Sequence, residues 1–269
     1  MQASGSGLRI FFIGDIVGSA GRRAVAALVP QIRDEYQVGL TVANAENAAH
    51  GFGLTPSTAK EIFDSGVDAI TGGNHIFDKK EVAEAFRAFE GKIVRPANYP
   101  PDSPGHGSTV VESSCGQAVG LINVMGRVFM DPLDCPFRAF ERERAELSQK
   151  ARVILLDIHA EATSEKAAMG YFVDGRVSAC VGTHTHVQTS DERILPHGTG
   201  FLSDAGMTGP IDSIIGMQKE AILQRFLEKR PAKMQVAEGR SSLQGVIFEI
   251  DPDSGRCLSI QRIRRTHEQ

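Results

Sequence analysis

The sequence has little of three things that would place it in a special class of protein: cysteine, long apolar stretches and excess positive charge. Its four cysteines are irregularly spaced and include no CxxC pair, so the sequence predicts neither a disulfide framework nor a zinc knuckle. No apolar stretch approaches the roughly 20 residues that a membrane-spanning helix needs, and the stretch from Ile10 to Ile13 is too short for a signal peptide. We therefore expect a soluble, cytoplasmic protein with reduced thiols and no membrane partner.

The charge balance is slightly negative, with 29 Lys and Arg against 33 Asp and Glu and a formal net charge of −4. A chain without a basic excess has no general affinity for polyanions, so we do not expect extended nucleic-acid binding. No repeat, low-complexity tract or linker divides the 269 residues. We expect a single domain over residues 1–269, and the sequence leaves a homo-oligomer open.

Short apolar runs alternate with helical patterns through most of the chain, which is typical of a layered α/β fold. Thr55 followed by Pro56 predicts the N-cap and the first residue of a helix. Asp78, with Glu81 three residues later, predicts a capping box for a second helix. The apolar runs that predict buried strands before chemically active side chains are 8–13, 40–43, 67–71, 153–156 and 177–181.

Groups that can bind metal follow each of these five runs. They are Gly14-Asp15, Asn44 to Asn47, Gly72 to His75, Asp157 to His159 and Gly182 to His186. A single Asp or Asn after a strand is more often a turn or helix-cap residue, and a lone histidine is more often a hydrogen-bonded structural residue. Loops at strand ends converge on one crevice in α/β sheets, however, so recurrence at five strand ends favours a shared site. Its carboxylates, amides and imidazoles suffice for two metals that share a bridging carboxylate.

The order of these motifs resembles the calcineurin-like binuclear metallophosphoesterase superfamily. The shared order is Gly-Asp, a carboxylate after a strand, Gly-Asn-His, an isolated His, and Gly-x-His-x-His, and it spans Gly14 to His186. The resemblance implies an α/β fold, a four-layer αββα sandwich, with a site for two metal ions between its two sheets. It also implies roles for residues of this sequence: Asp15 and His186 would bind the first metal, Asn74, His159 and His184 would bind the second, and His75 would be the catalytic imidazole that meets the substrate.

Two departures from the superfamily pattern concern the first metal. The first motif is usually Asp-x-His, but Val17 stands at the histidine position, and the usual bridging Asp is replaced by Glu46, which Asn47 follows. We interpret Glu46 as the bridging carboxylate and the side-chain oxygen of Asn47 as the substitute ligand. Since an amide oxygen is harder than an imidazole, this site would favour iron(III), manganese or magnesium. The same departures resemble a small bacterial branch with cyclic-nucleotide phosphodiesterase activity, which implies two iron or manganese ions.

This resemblance implies a hydrolase for small cyclic phosphodiesters, such as 2′,3′-cyclic nucleotides, that acts through a hydroxide bridging the two metals. The alternatives are a metal-binding signalling or regulatory protein with little turnover, a phosphomonoesterase of the same superfamily, and a two-metal amidase. The missing histidine keeps the regulatory alternative open. Arg127 could neutralise phosphate or form a surface ion pair, and His50 could lie near the site or in an ordinary loop.

Overall fold

Residues 7–268, which the computed structural model describes, form thirteen strands and six helices. The strands are β1 (Leu8–Ile13), β2 (Asp15–Ile16), β3 (Leu40–Asn44), β4 (Ala69–Thr71), β5 (Ser108–Glu112), β6 (Ala118–Met125), β7 (Val153–His159), β8 (Ala179–Thr183), β9 (Arg193–Ile194), β10 (Gly200–Leu202), β11 (Met207–Pro210), β12 (Ser241–Ile250) and β13 (Cys257–His267). The helices are α1 (Gly18–Glu35), α2 (Pro56–Asp64), α3 (Val82–Ala88), α4 (Pro136–Leu147), α5 (Thr163–Val173) and α6 (Lys219–Glu228). Within the described range, each helix is too short or too polar to cross a bilayer. The predicted single domain, 1–269, includes terminal residues outside this range and stays a prediction.

The strands form two sheets. Seven strands make the first, in the order β2-β11-β12-β1-β3-β4, with β13 paired to β12. Six make the second, in the order β5-β6-β7-β8-β10-β9. In the first sheet β1, β3 and β4 run parallel, and in the second β6, β7, β8 and β10 do so. The predicted site residues lie at the ends of these parallel strands or in the segments that directly follow them, as expected for an α/β crevice.

Three apolar cores separate four layers. The middle core lies between the sheets and includes Phe12 and Leu155. An outer core, which includes Val25, joins α1, α2 and α3 to the first sheet. The opposite core, which includes Phe140 and Met169, joins α4 and α5 to the second sheet. The predicted αββα sandwich is therefore confirmed.

Strand β1 shows why its sequence is apolar throughout. Side chains of a strand alternate between the two faces of a sheet. Phe11 and Ile13 belong to the core under the helices, whereas Ile10 and Phe12 belong to the core between the sheets. A strand covered on both faces has no polar side, so it reads as a continuous hydrophobic run.

The five predicted strands are all present, and three of them, β3, β7 and β8, end later than predicted, at Asn44, His159 and Thr183. The run predicted to end at residue 156 continues to His159, because β7 stays paired with β6 as far as Met125 opposite His159. His159 is thus the last residue of a strand. The predicted start of α2 is also confirmed, since the helix begins at Pro56 and the Thr55 hydroxyl accepts a hydrogen bond from the Thr58 amide.

The capping box predicted at Asp78 is wrong. Helix α3 begins at Val82, and its N-cap residue, Glu81, makes no side-chain capping hydrogen bond. The Asp78 carboxylate instead lies 2.8 Å from Nδ1 of His75. Asp78 therefore contacts His75, which precedes it, and does not cap the helix that follows it.

A buried ion pair holds the loop that follows β8. Nζ of Lys166 lies 2.6 Å from Oδ2 of Asp204, and the two side chains are 2% and 1% exposed. The same carboxylate oxygen accepts hydrogen bonds from the backbone amide of Thr185, at 3.1 Å, and from its hydroxyl, at 2.8 Å. Thr185 stands between His184 and His186, so this ion pair fixes the segment that carries both histidines.

We predict that Lys166→Met lowers the free energy of unfolding by about 3–5 kcal/mol, because the Asp204 carboxylate would stay buried without its counter-ion. Urea denaturation measures this change. The control is Lys60→Met, which breaks an exposed ion pair with Asp64 and should cost no more than about 1 kcal/mol. Equal losses in the two variants would contradict a structural role for the buried pair.

Candidate metal centre

The structure brings all eight predicted site residues to the crevice at the ends of the parallel strands. Asp15 lies in β2, and His159 ends β7. The other six lie in the turns after three strands: Glu46 and Asn47 after β3, Asn74 and His75 after β4, and His184 and His186 after β8. Asp15, Glu46 and His159 are buried, with exposures of 0%, 1% and 0%. Short contacts connect them into two neighbouring groups.

The first of these groups surrounds Nε2 of His159. This nitrogen lies 2.9 Å from Oδ1 of Asn74, 3.1 Å from Oε1 of Glu46 and 3.1 Å from Nδ1 of His184. Ligand atoms of Glu46, His159 and His184 all lie within 4.8 Å of one another. Metal ions bind such nitrogen and oxygen atoms at about 2.1 Å, so atoms sharing one ion lie close together in this way. The residues predicted for the second metal are thus one cluster.

The other group lies around Oδ1 of Asp15. Nε2 of His186 is 3.7 Å from this oxygen, and Nδ2 of Asn47 is 3.4 Å from the same imidazole nitrogen. Oδ1 of Asp15 is buried and has no hydrogen-bond partner among residues 7–268. An unsatisfied buried carboxylate oxygen is costly, and a cation at this position would remove the cost. The donor set therefore fits a metal ion.

Asn47 is placed beside this group, but with its amide turned away from the predicted orientation. Its nitrogen, not its oxygen, faces Oε1 of Glu46, at 3.3 Å, and the imidazole of His186. Binding of a metal through the side-chain oxygen requires the amide to rotate by half a turn. The ligand role of Asn47 stays a prediction.

Glu46 stands between the two groups. Its Oε1 contacts both His159 and Asn47, and its Oε2 accepts a hydrogen bond of 2.8 Å from the backbone amide of His75. Gly73 is packed so closely here that a Cβ atom would collide with the ring of His159 and with the Glu46 carboxylate. A glycine is required at this position because only it allows the backbone to approach so closely.

Each of the three histidines predicted to bind metal, His159, His184 and His186, has one ring nitrogen that faces away from the other candidate ligands. That nitrogen contacts another group. Nδ1 of His159 contacts the hydroxyl of Thr183 at 2.9 Å, and that hydroxyl donates to Oδ1 of Asp157 at 2.8 Å. Since the hydroxyl proton goes to Asp157, the Thr183 oxygen accepts from Nδ1–H. Nε2 of His159 is then the ring nitrogen that faces the cluster and would bind a metal, with Thr183 in the position of a second-shell partner. For the other two histidines, the partners are Glu161, 3.1 Å from Nε2 of His184, and the carbonyl of Ile215, 3.0 Å from Nδ1 of His186.

The buried charges shift one another's pKa values. Burial alone would raise the pKa of Glu46, but the charge and hydrogen bond of His159 lower it to about 2. Burial would lower the pKa of His159, but the Glu46 carboxylate raises it to about 9. Burial and the charge of His159 lower the pKa of His184 to about 3, whereas burial raises the pKa of Asp15. Glu46 and His184 are therefore in the deprotonated state that metal binding requires.

His75 differs from the ligand candidates because its ring lies at the edge of the crevice. Its side chain is 33% exposed, and Nδ1 lies 2.8 Å from Oδ2 of Asp78. The ring packs edge-on against Phe52, with 5.0 Å between ring centroids. The Asp78 carboxylate orients the imidazole through Nδ1, so Nε2 is the nitrogen that remains available to other partners. The sequence pattern predicted a helix cap for Asp78, although the spacing His-x-x-Asp was a signal for this pair.

His50 and Arg127 are the two residues whose roles the sequence left open. His50 is exposed, with a left-handed φ of 60°, and makes no side-chain hydrogen bond among the described residues. Arg127 is exposed in the loop after β6. Its guanidinium has no carboxylate partner in the described part of the chain, so the ion-pair alternative is not observed.

One protein family and several known proteins match almost the whole chain. The family described as YmdB-like protein matches residues 11–263. The 2′,3′-cyclic-nucleotide 2′-phosphodiesterase of Bacillus subtilis (strain 168) is 48% identical over 256 residues, which cover 95% of this chain and 96% of that protein. Among solved structures, a hypothetical protein from Thermus thermophilus has a TM-score of 0.90 and 44% identity, covering 97% of this chain and 100% of its own. A novel phosphatase from Mycoplasma pneumoniae has a TM-score of 0.89 and 31% identity, covering 97% and 94%. These matches confirm the resemblance drawn from the motifs.

We predict that Thr183→Val weakens Mn²⁺ binding by about 10–100-fold, because the hydroxyl orients the imidazole of His159. Calorimetric titration of chelator-treated protein measures this affinity. The control is Thr71→Val, since Thr71 donates to the other oxygen of Asp157, at 2.6 Å, and is not hydrogen-bonded to His159. Equal effects of the two substitutions would show that Thr183 acts only through Asp157.

Proposed function

Because the chain belongs to the YmdB-like family, we propose that it is a metal-dependent phosphodiesterase that hydrolyses small cyclic phosphodiesters such as 2′,3′-cyclic nucleotides. The observation that carries this proposal is the convergence on Nε2 of His159 of a carboxylate, an amide oxygen and a second imidazole. We further propose that the protein acts in the cytoplasm, as a single domain over residues 1–269, on small substrates rather than on nucleic-acid polymers.

The site holds two metal ions in this proposal. Asp15, Asn47 and His186 would bind the first, and Glu46 would bridge to the second. Asn74, His159 and His184 would complete that second site. When bound, the two ions would activate water and offset the negative charge that develops on the phosphoryl oxygens.

Iron or manganese is the metal we propose. The site offers oxygen atoms from Asp15, Glu46 and two amides beside three imidazole nitrogens. Cysteine thiolates favour soft metals, and among the described residues the group that could hold an ion, Glu46, His159 and His184, contains no cysteine. A mixed set of carboxylate, amide and imidazole donors suits first-row ions of intermediate hardness.

His75 would act as the general acid. Hydrolysis of a cyclic nucleotide releases a ribose oxygen, which is a poor leaving group and has to be protonated. Asp78 accepts from Nδ1–H of His75 in the structure, so the proton for the leaving oxygen would come from Nε2. Proton transfer of this kind typically contributes 10²–10⁴-fold to the rate.

A substrate panel tests the proposed function. We expect the manganese-loaded or iron-loaded enzyme to have a higher kcat/KM for 2′,3′-cyclic nucleotides than for phosphomonoesters or double-stranded DNA. The five-membered ring holds its leaving oxygen rigidly, so in-line attack requires little ordering of the substrate. A preference for monoesters would instead support the second candidate, a phosphatase, as the relative from Mycoplasma pneumoniae is named. If no phosphoester is hydrolysed, the regulatory alternative is favoured. Cleavage of amide substrates would favour the two-metal amidase.

The control for this panel is Glu46→Ala, which removes the proposed bridge. Elemental analysis should find about two metal equivalents in the wild-type protein, as expected for a two-metal site, and a loss of both in the variant. If one full equivalent survives in Glu46→Ala, Glu46 does not bridge.

We predict that His75→Ala lowers kcat for cyclic nucleotides by about 10²–10⁴-fold while metal content is retained. The loss should be much smaller for bis-p-nitrophenyl phosphate, because nitrophenolate leaves without protonation. Asp78→Asn, which keeps the imidazole but removes its charged partner, should show the same dependence on leaving group to a smaller extent. Equal losses for good and poor leaving groups would exclude the general-acid role, and loss of metal would make His75 a ligand.

A further inference from the structure

The turn of residues 126–130, hereafter the site-edge turn, presents an aromatic ring to solvent and begins directly after the strand residue that is paired with His159. Phe129 is 89% exposed and Val128 is 41% exposed. No other aromatic ring and no cation packs on Phe129 within residues 7–268, unlike the paired rings of Phe137 and Phe172. This phenylalanine therefore contributes little to the hydrophobic core, and its exposure needs another explanation.

The turn starts next to a predicted metal ligand. Met125, the last residue of β6, is paired with His159, and the amide of Gly126 donates a hydrogen bond of 2.9 Å to the His159 carbonyl. Phe129 is three residues further along, which places its Cα within about 11 Å of Gly126 even for a fully extended chain. That span is comparable with the length of one nucleoside. The backbone of Phe129 is thus no further from the backbone of His159 than about the length of one nucleoside, the separation that a base and a phosphate bound at the two places would need.

The site-edge turn is held firmly at its base. The buried carboxylate of Glu165 accepts hydrogen bonds from the amides of Arg127, at 3.1 and 3.0 Å, and of Val128, at 3.1 Å. The side chain of Asn98 donates to the carbonyl groups of Met125, at 2.8 Å, and Asp134, at 3.0 Å. The exposed ring is thus mounted on a pre-ordered backbone, which reduces the entropy lost when a ligand binds.

The backbone at Phe129 is also unusual. Its φ is 61°, a left-handed value that L residues other than Asn and Asp seldom adopt. The amide of Met130 is 3.4 Å from the carbonyl of Arg127, so Phe129 occupies the third position of a β-turn, where a positive φ favours glycine or asparagine. A large aromatic residue here costs conformational energy and gains no packing in return. Such strain is typically found at functional sites.

We propose that Phe129 is the stacking platform for the nucleobase of the substrate. This inference rests on the proposed function, since it takes the phosphate of a cyclic nucleotide to lie at the metal centre. Stacking of a base on an exposed aromatic ring is sequence-tolerant because every base has a π-face. The platform would therefore bind all four nucleosides, the larger purines more tightly, without contributing to the chemistry at phosphorus.

Kinetics with two substrates that share the same phosphodiester ring test this platform. The first is 2′,3′-cyclic AMP, and the second is ethylene phosphate, which has the five-membered ring but no ribose and no base. We expect Phe129→Ala to raise KM for 2′,3′-cyclic AMP by about tenfold, as base–aromatic stacking energies indicate, with kcat nearly unchanged. The same variant should leave kcat/KM for ethylene phosphate unchanged. Phe129→Trp should retain the wild-type KM, and Phe129→Leu should behave like the alanine variant.

The matched control is Phe226→Ala, which removes another exposed phenylalanine, 69% exposed in α6, and should leave both substrates unaffected. A purine preference in KM should be present in the wild type and disappear in Phe129→Ala, a change that a purely structural role would not produce. Unchanged KM for 2′,3′-cyclic AMP in Phe129→Ala, or equal losses on both substrates, would overturn the platform. Failure of the wild type to hydrolyse either cyclic diester would instead overturn the proposed function.

Discussion

The pairing of Glu46 with His159 is the interaction on which the rest of the site depends. Both side chains are almost completely buried, and an isolated buried charge is expensive unless it is paired. The pair is stable because each member has further partners: the His75 amide holds Glu46, and Thr183 holds His159. A metal ion can replace the shared proton without disturbing these outer hydrogen bonds. The fold therefore prepares the ligands before any ion binds.

The two sheets supply this pair from opposite sides. Glu46 follows β3 of the first sheet, and His159 ends β7 of the second, so the contact between them joins the two halves of the sandwich. The loop with His184 and His186 also depends on packing away from the ligands, because both histidines have a left-handed φ, of 102° and 64°. That conformation is unfavourable for non-glycine residues, and the buried contact between Lys166 and Asp204 offsets it by fixing the backbone between them.

The features that could be predicted from the sequence are those determined by residues close together in the chain. The apolar run 8–13 and the Thr55 cap are local, and both predictions are confirmed. The position of His159 at a strand end depends on pairing with β6, and the predicted strand stopped short of it. Asp78 had two local partners available, and only the folded turn decides that it contacts His75 rather than the helix. The short strands β2 and β11 pair although they lie far apart in the sequence, so no local pattern could indicate them. The contact of Glu161 with His184 could not be predicted for the same reason, because the two residues are distant in the sequence.

The residue that replaces the superfamily's histidine bears on whether the site can be catalytic. Val17 is fully buried, and its side chain packs so closely on Gly209 and Gly216 that a Cβ atom on either glycine would lie 3.2 Å or less from it. Position 17 thus belongs to a closely packed region, in which a larger histidine side chain would collide with the backbone at Gly209 or Gly216. The amide of Gly18, the next residue, donates to the backbone carbonyl of Asn47 at 3.0 Å, which ties the first motif to the residue proposed as the substitute ligand. Position 17 therefore serves packing, and the proposal for the first metal depends on Asp15, Asn47 and His186 instead. Within residues 7–268, Oδ1 of Asp15 is buried without a hydrogen-bond partner, which favours a cation at that position because an unsatisfied buried carboxylate oxygen is costly.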